Sequence, residues 1–342
     1  MVNSTPKSFP EVDVILLSWN RTEMTIETIE SLLEQQQVDL KIWIVDQGSE
    51  PDNFLKLQEA TKAYDNIYIK ALKENVGVPG GRNIGMALGT SEYTVSIDND
   101  AVFESPCALA QVIDTYDKNP DLGIIGFRIM NFYTNQDDEY SWAYPKSLKS
   151  SRDKQFLTTC FCGCGHAIRR SVFDEVGGYD SELFFYWEET DFSYRVINLG
   201  YKLIYDPSII VRHKVSPEAR VRWEDKRFYY LVRNVIYVRL KYEANKLKIF
   251  FFIIGYLAKG IYNSLLSQTI QGIFDGLYMY WRLRGNLMED SPHLYNLTNE
   301  AKNYLQENNF RHRGSLWLRI KTEVLATLPG DSRNIDITKS KA

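Results

Sequence analysis

Cysteine is scarce in this chain, long apolar runs are missing, and neither sign of charge dominates. Only four of 342 residues are cysteine, and three of these, Cys160, Cys162 and Cys164, fall within five positions. That is not the spaced framework of a disulfide-stapled secreted domain. The first ten residues are polar, include Pro6 and Pro10, and lack the apolar segment of a secretory signal. Both absences point to a cytoplasmic protein. The most apolar run, Ile249 to Ala258, is too short to span a bilayer, and extending it to Leu266 takes in Lys259 and Asn263. A net charge of −4 argues against a nucleic-acid partner, which usually needs a basic stripe. Internal repeats and a persuasive nucleophile motif are also missing.

What is present suits a folded enzyme. Apolar residues make up 44% of the chain and charged residues 25%, enough for a core and against disorder. The 22 Tyr, 17 Phe and 7 Trp are an excess, many of them late in the chain.

The first half alternates strand and helix signals. Val12 to Ser18 is a near-continuous apolar run, as expected of a strand buried on both faces. A helix with Met24, Ile29, Leu32 and Leu33 as its apolar positions follows, then a strand at Leu40 to Val45 and a helix opened by Pro51. Further strands are expected at Ile67 to Ala71, Tyr93 to Ile97 and Leu122 to Phe127, with helices between them. The expected fold class is therefore α/β, a mostly parallel sheet flanked by helices, carrying a C-terminal helical appendage. Residues 131–154 read as a polar excursion. Expected boundaries are a catalytic domain at 1–225, a helical region at 226–328 and a polar tail at 329–342.

Three clusters could carry chemistry. Asp98-Asn99-Asp100 directly follows a strand, where two carboxylates can share Mn²⁺ or Mg²⁺. Asn75 to Gly85, with Gly77, Gly81 and Arg82, is glycine-rich, and with a helix expected to begin near Gly81 it could bring backbone amides, a helix N-terminus and a guanidinium to a phosphate. Its spacing is not the dinucleotide fingerprint. In Glu188 to Arg195, a helix would place Glu188, Asp191 and Arg195 on one face, with Asp191 and Arg195 paired. Glu189 would point about 100° away, leaving it as the base. Cys160, Cys162, Cys164 and His166 alternate at period two. On a strand such a row cannot surround one zinc ion, so it reads as small residues beside a pocket.

Together these motifs resemble glycosyltransferase family 2, inverting enzymes with the GT-A fold. The resemblance runs from Val12 to Lys214. It joins Ser18-Trp19-Asn20-Arg21, Asp46, the glycine stretch, Asp98 to Asp100, Gly163 to Arg170, Gly177 to Asp180, the Glu188 cluster and His213. It implies a nucleotide-sugar donor held by Ser18, Asn20, Arg21 and Asp46 at the nucleoside and by Arg82 at the diphosphate, with Asn75, Gly77, Gly81, Asp98, Asn99 and Gly163 as further donor-binding residues. It implies a metal on Asp98, Asp100 and His213, with Glu189 as catalytic base and Asp191 as a second catalytic residue. Two departures stand out: Asn99 where some members have Asp, and Glu-Glu where Glu-Asp is commoner.

Past Arg227 the pattern is helical. Lys248, Gly255, Lys259, Asn263 and Ser267 form a narrow polar stripe on a very apolar helix. The expectation is a peripheral helix on the inner face of the cell membrane, near a glycan or lipid-linked acceptor; packing against another subunit in a homo-oligomer is the competing reading. Competing functions are a sugar nucleotidyltransferase, which would need a basic glycine-rich loop after the first strand, and a non-catalytic nucleotide-sugar-binding module.

Overall fold

The computed structural model describes residues 9–214, 226–242, 246–285 and 291–308. The chain divides into two compact units, one of residues 1–215 with 297–309, the other of 216–296 with 310–342.

The first unit runs β1 (Glu11–Ser18), α1 (Thr22–Leu33), β2 (Asp39–Asp46), α2 (Pro51–Thr61), β3 (Ile67–Ala71), α3 (Gly77–Leu88) and β4 (Tyr93–Ile97). It continues through β5 (Ala101–Phe103), α4 (Ala108–Lys118), β6 (Leu122–Asn131), β7 (Phe156–Leu157), β8 (Gly165–Arg169), α5 (Arg170–Val176), α6 (Glu188–Asn198) and β9 (Lys202–His213). The sheet order is β3-β2-β1-β4-β8-β6-β9-β5, with β7 pairing β9. β1 to β4 are parallel, and β6 is parallel to β9. β8 runs antiparallel between β4 and β6, so the sheet is mixed where the alternating pattern ends.

The apolar run of β1 is explained by burial on both faces. Val12, Val14 and Leu16 pack with Ile29, Leu32, Leu57 and Val112 under α1, α2 and α4. Ile15 faces the other way, with Met86, Val172, Phe192 and Val196 of α3, α5 and α6. The returning helix Asn299–Asn308 closes this second layer: Ala301 is buried in it, and the Tyr304 hydroxyl donates to the Thr158 carbonyl at 3.0 Å.

Two sequence expectations need correction. The helix expected near Gly81 begins at Gly77, so most of the glycine stretch is helix rather than loop. Cys160, Cys162 and Cys164 do not form a strand row, because β8 starts only at Gly165 and the preceding residues turn. The excursion at 131–154 is ordered, with Asp138 and Tyr144 buried.

The second unit contains α7 (Arg227–Tyr242), α8 (Lys246–Tyr262) and α9 (Leu266–Arg284). α7 and α9 touch closely at Gly272 and Gly276, where an added Cβ would lie 3.0 Å from the Tyr229 carbonyl and 2.5 Å from that of Arg233. Phe228, Val232 and Ile273 form its buried core, lined by Ile253, Tyr256 and Leu257.

Asp13 on β1 is fully buried on the α3 side and pins three elements. It accepts from the Trp43 indole at 2.7 Å and the Ser91 amide at 2.7 Å, and pairs with Arg170 at 3.1 Å. Replacing it leaves the Trp43 indole and the Ser91 amide without their acceptor and the half-buried Arg170 without its counter-ion. Asp13→Ala is expected to cost about 3 kcal/mol of unfolding free energy, measured by urea denaturation; a loss within about 0.5 kcal/mol, ordinary for surface positions, would contradict this account.

Candidate active site

The carboxyl ends of β1, β2 and β4 meet at one edge of the sheet, and the side chains singled out by sequence gather there. At the β1–β2 end, Asp46 is buried and accepts from the Ser49 amide at 3.0 Å and hydroxyl at 2.5 Å. Asn20, in a left-handed conformation, receives the Glu50 amide at 2.6 Å and gives its own amide to the Ser49 hydroxyl at 3.0 Å. Ser18 is buried beside them, its carbonyl accepting from the Gln47 amide at 2.9 Å. These residues form one hydrogen-bonded floor.

The glycine stretch does not make an open phosphate cradle. The Gly77 amide goes to the Asn75 side chain at 2.8 Å, the Val76 amide to Gln47 at 3.2 Å, and the Val78 amide to the Phe184 carbonyl at 2.7 Å. Its glycines serve close packing: a Cβ at Gly77 would sit 2.4 Å from the Phe184 carbonyl, and one at Gly81 would sit 2.9 Å from Leu17. Arg82 does not reach outward either. It is buried, donates to the Gly163 carbonyl at 2.7 Å, and stands 3.5 Å from Asp98, 3.9 Å from Glu188 and 3.8 Å from Glu189. Its Nη1 and the Glu188 Oε2 are buried without a hydrogen-bond partner among the described residues.

The Asp98-Asn99-Asp100 turn divides three ways. Asp98 faces Arg82. Asn99 turns aside and donates to Thr25 on α1 at 3.1 Å. Asp100 lies between Arg21 at 2.8 Å and His213 at 3.3 Å. Burial pulls the Asp100 carboxyl upward, but its hydrogen bond to His213 and the charges of His213 and Arg21 outweigh that and leave its pKa low. His213 in turn is pushed down by burial and pulled up more strongly by Asp100 and Asp138, reaching about 9. Asp138 was missed by sequence reasoning. It comes from the polar excursion, is buried, and holds His213 Nδ1 at 3.2 Å. A single acid in an aperiodic stretch gave no signal.

Among the described residues, ligand atoms of Asp98, Cys164 and His213 lie within 4.8 Å of one another. A carboxylate, an imidazole and a thiol at that separation fit a divalent cation. Asp100 borders this group through His213.

On α6 the pairing expected from helical spacing forms: Arg195 binds Asp191 at 2.9 and 3.1 Å, and both are buried. Arg195 also donates to the Val176 and Gly178 carbonyls at 3.0 and 2.7 Å. Asp191 therefore joins α6, through Arg195, to the Val176–Gly178 turn. Glu189 is the more open of the two glutamates, with 22% of its side chain exposed against 3% for Glu188. Burial raises both; Arg82 opposes it, yet Glu188 rises to about 8, helped by the charge of Glu189. At neutral pH Glu188 thus carries a proton and hydrogen-bonds Glu189. The loop before α6 is strained, with Phe184, Tyr186 and Trp187 all at positive φ between 61° and 73°. Bulky residues adopt this only when their surroundings enforce it.

His166 is fully buried, 3.0 Å from the Tyr179 hydroxyl and against the Phe161 ring. It is a core residue.

Comparison with known proteins bears on the family and the fold. Residues 13–177 match glycosyl transferase family 2. A glucosyl-dolichyl phosphate glucuronosyltransferase of Haloferax volcanii is 30% identical over 50% of this chain and 55% of its own. The O-antigen chain rhamnosyltransferase WbaN of Salmonella anatum is 24% identical over 64% of this chain and 70% of its own. A solved Pyrobaculum calidifontis mannosyltransferase, in complex with GDP-Man and Mn²⁺, superposes with a TM-score of 0.55 at 14% identity, covering 94% of this chain and 86% of that one. The fold is thus that of the GT-A glycosyltransferases. Residues 13–177 belong to glycosyltransferase family 2. The chain spans 55 to 59% of the length of the first curated relatives it matches.

The Glu188 proton has a measurable consequence. Its folded pKa of about 8 lies above the ordinary 4.5. It therefore contributes stability that is fully present below pH 4.5 and is lost as pH rises through about 8. Glu188→Gln is expected to flatten the fall in unfolding free energy across that window. Equal slopes for variant and wild type would show that Glu188 ionises normally.

Proposed function

We propose that the protein is a metal-dependent inverting glycosyltransferase that moves a sugar from a nucleotide-sugar donor to a hydroxyl of a glycan or lipid-linked acceptor, in surface polysaccharide synthesis. The single observation that carries this reading is the pairing of an accessible carboxylate, Glu189, with the Asp98 carboxylate across one buried guanidinium, Arg82. Family membership and the named activities of the relatives support it.

Each group has a role in that reading. Glu189 accepts the proton of the acceptor hydroxyl as that oxygen attacks the anomeric carbon, and the donor's diphosphate leaves with the bond electrons. One displacement inverts the configuration. Glu188, protonated, keeps the second negative charge away from Glu189 while donating to it. Arg82 balances the carboxylates and holds Gly163 in place. Asp98, Asp100 and His213 would hold Mn²⁺ or Mg²⁺, which when bound supplies positive charge to the leaving diphosphate. The floor of Ser18, Asn20, Asp46 and Arg21 would receive the nucleoside; UDP-hexoses and dTDP-rhamnose are the donors to test. A screen of nucleotide-sugars with Mn²⁺ identifies the donor by a rise in melting temperature.

Glu189→Gln is expected to lower transfer by about 10²–10⁴-fold while donor binding, read by the same thermal shift, stays close to wild type. Turnover near normal in that variant would overturn the assignment of the base.

The acceptor reading extends to the second unit. Among the described residues no helix is long and apolar enough to cross a membrane. Yet α8 and α9 expose Phe250, Phe251, Ile261, Phe274, Tyr278 and Trp281. Residues 226–285 also hold ten Lys and Arg against two acids, in a chain of net charge −4. Apolar exposure beside positive charge suits the surface of an anionic membrane. The full-length protein is expected to co-sediment with phosphatidylglycerol vesicles, less so at high salt, and Phe274→Asp combined with Trp281→Asp should weaken it. Indifference to vesicles of every composition would remove the membrane from this reading.

A further inference from the structure

We propose that Cys164 is a ligand of the divalent cation, sharing it with Asp98 and His213. The proposal rests on the metal reading of the preceding subsection and extends it to a residue the sequence grouped elsewhere. In the sequence, Cys164 stands with Cys160, Cys162 and His166. In the fold that group comes apart. Cys160 donates its thiol to the Ala143 carbonyl, at 3.1 Å. His166 is held by Tyr179. Cys164 alone of these reaches the ends of β4 and β9, where its sulfur lies within 4.8 Å of ligand atoms of both Asp98 and His213.

Three features make this a built site. First, the backbone sets the geometry. The Asp98 amide donates to the Cys164 carbonyl at 3.0 Å, Ile97 pairs with Gly165, and His213 pairs with Ala101 and Asn131. The three side chains therefore start from fixed register positions, not from independent loops. Second, Asp138 holds His213 through Nδ1 at 3.2 Å, the carboxylate support typical of metal-binding histidines, so that Nε2 is turned toward the Asp100 side. Third, Cys164 and His213 are both buried, so the sulfur and the imidazole meet Asp98 inside the protein and not in open solvent.

Chemically, binding forms a metal–sulfur and a metal–nitrogen bond and breaks the Cys164 S–H bond and the Nε2–H bond of protonated His213, releasing two protons to solvent. No oxidant or reductant is involved. A sulfur among oxygen and nitrogen ligands moves selectivity from Mg²⁺ toward borderline-soft ions such as Co²⁺ and Zn²⁺, with Mn²⁺ between them.

Cobalt reports the ligand directly. Co²⁺ added to the full-length protein is expected to produce a sulfur-to-cobalt charge-transfer band in the near ultraviolet. Cys164→Ser should lose the band, while Cys162→Ser should keep it. Should Cys164→Ser fail to fold, X-ray absorption at the cobalt edge of the wild-type protein gives the same answer through a sulfur scatterer. Cobalt bound with oxygen and nitrogen scatterers only, or a band that survives in Cys164→Ser, overturns this proposal and leaves the metal reading standing. Absence of any Co²⁺ or Mn²⁺ binding overturns both.

Discussion

The site is organised around one buried cation. Arg82 has almost no exposure, and a guanidinium taken out of water must be compensated. The fold supplies carboxylates from β4 and α6 and a carbonyl from the Gly163 turn. Its position depends in turn on α3 lying directly on β1. A Cβ at Gly85 would stand 2.4 Å from Ile15, and one at Gly81 2.9 Å from Leu17. The glycines therefore act through helix-to-sheet distance. They set how far Arg82 projects past the sheet edge, and so how close three carboxylates can come to one another without unbalanced repulsion.

Much of this architecture could be read from residue pattern, and the misses have identifiable causes. β3 and β4 were placed at their observed ends because short apolar runs bounded by turn residues admit one reading. The start of α3 was placed late because glycine is a poor helix former, and only tertiary contact with Phe184 and Gln47 makes Gly77 to Gly80 helical. β8 was legible as structure but not as an antiparallel strand, since pairing direction leaves no mark on a five-residue run. Within the site, residues next to strand ends could be found from order alone. Asp138 could not, because its excursion has no period and its partner His213 lies 75 positions further along the chain. Nor could sequence tell that Asn99, flanked by two acids, turns away to Thr25.

Net charge is a poor guide to partners in this chain. An overall −4 excludes a uniformly basic surface but conceals a strongly basic stretch at 226–285. The aromatic excess divides in the same manner. Phe161, Phe173, Tyr179 and Phe192 are packed in the second core layer of the first unit. Phe250, Phe251, Phe274 and Trp281 remain in solvent on α8 and α9, while Ile253, Tyr256 and Ile273 of those helices pack with Phe228 and Val232 of α7. Composition counts both groups alike, although only the second exposes apolar area that an interface would cover.

The Gly163–Cys164 turn shows how closely the two halves of the site are coupled. At Gly163 an added Cβ would lie 2.2 Å from the Glu189 carboxylate and 3.2 Å from Arg82, so the absent side chain is the space that Glu189 occupies. The next residue gives its carbonyl to the Asp98 amide and its sulfur to the Asp98–His213 group. The proposed base and the proposed cation ligands thus border consecutive residues of a turn that leads into β8, whose register against β4 anchors it. A one-residue slip in that register would reverse which side chain faces which partner. Because Gly163 borders Glu189 of α6 and Cys164 bonds the Asp98 amide after β4, this one turn ties the two groups to each other, and a constant separation is what the proposed in-line displacement requires.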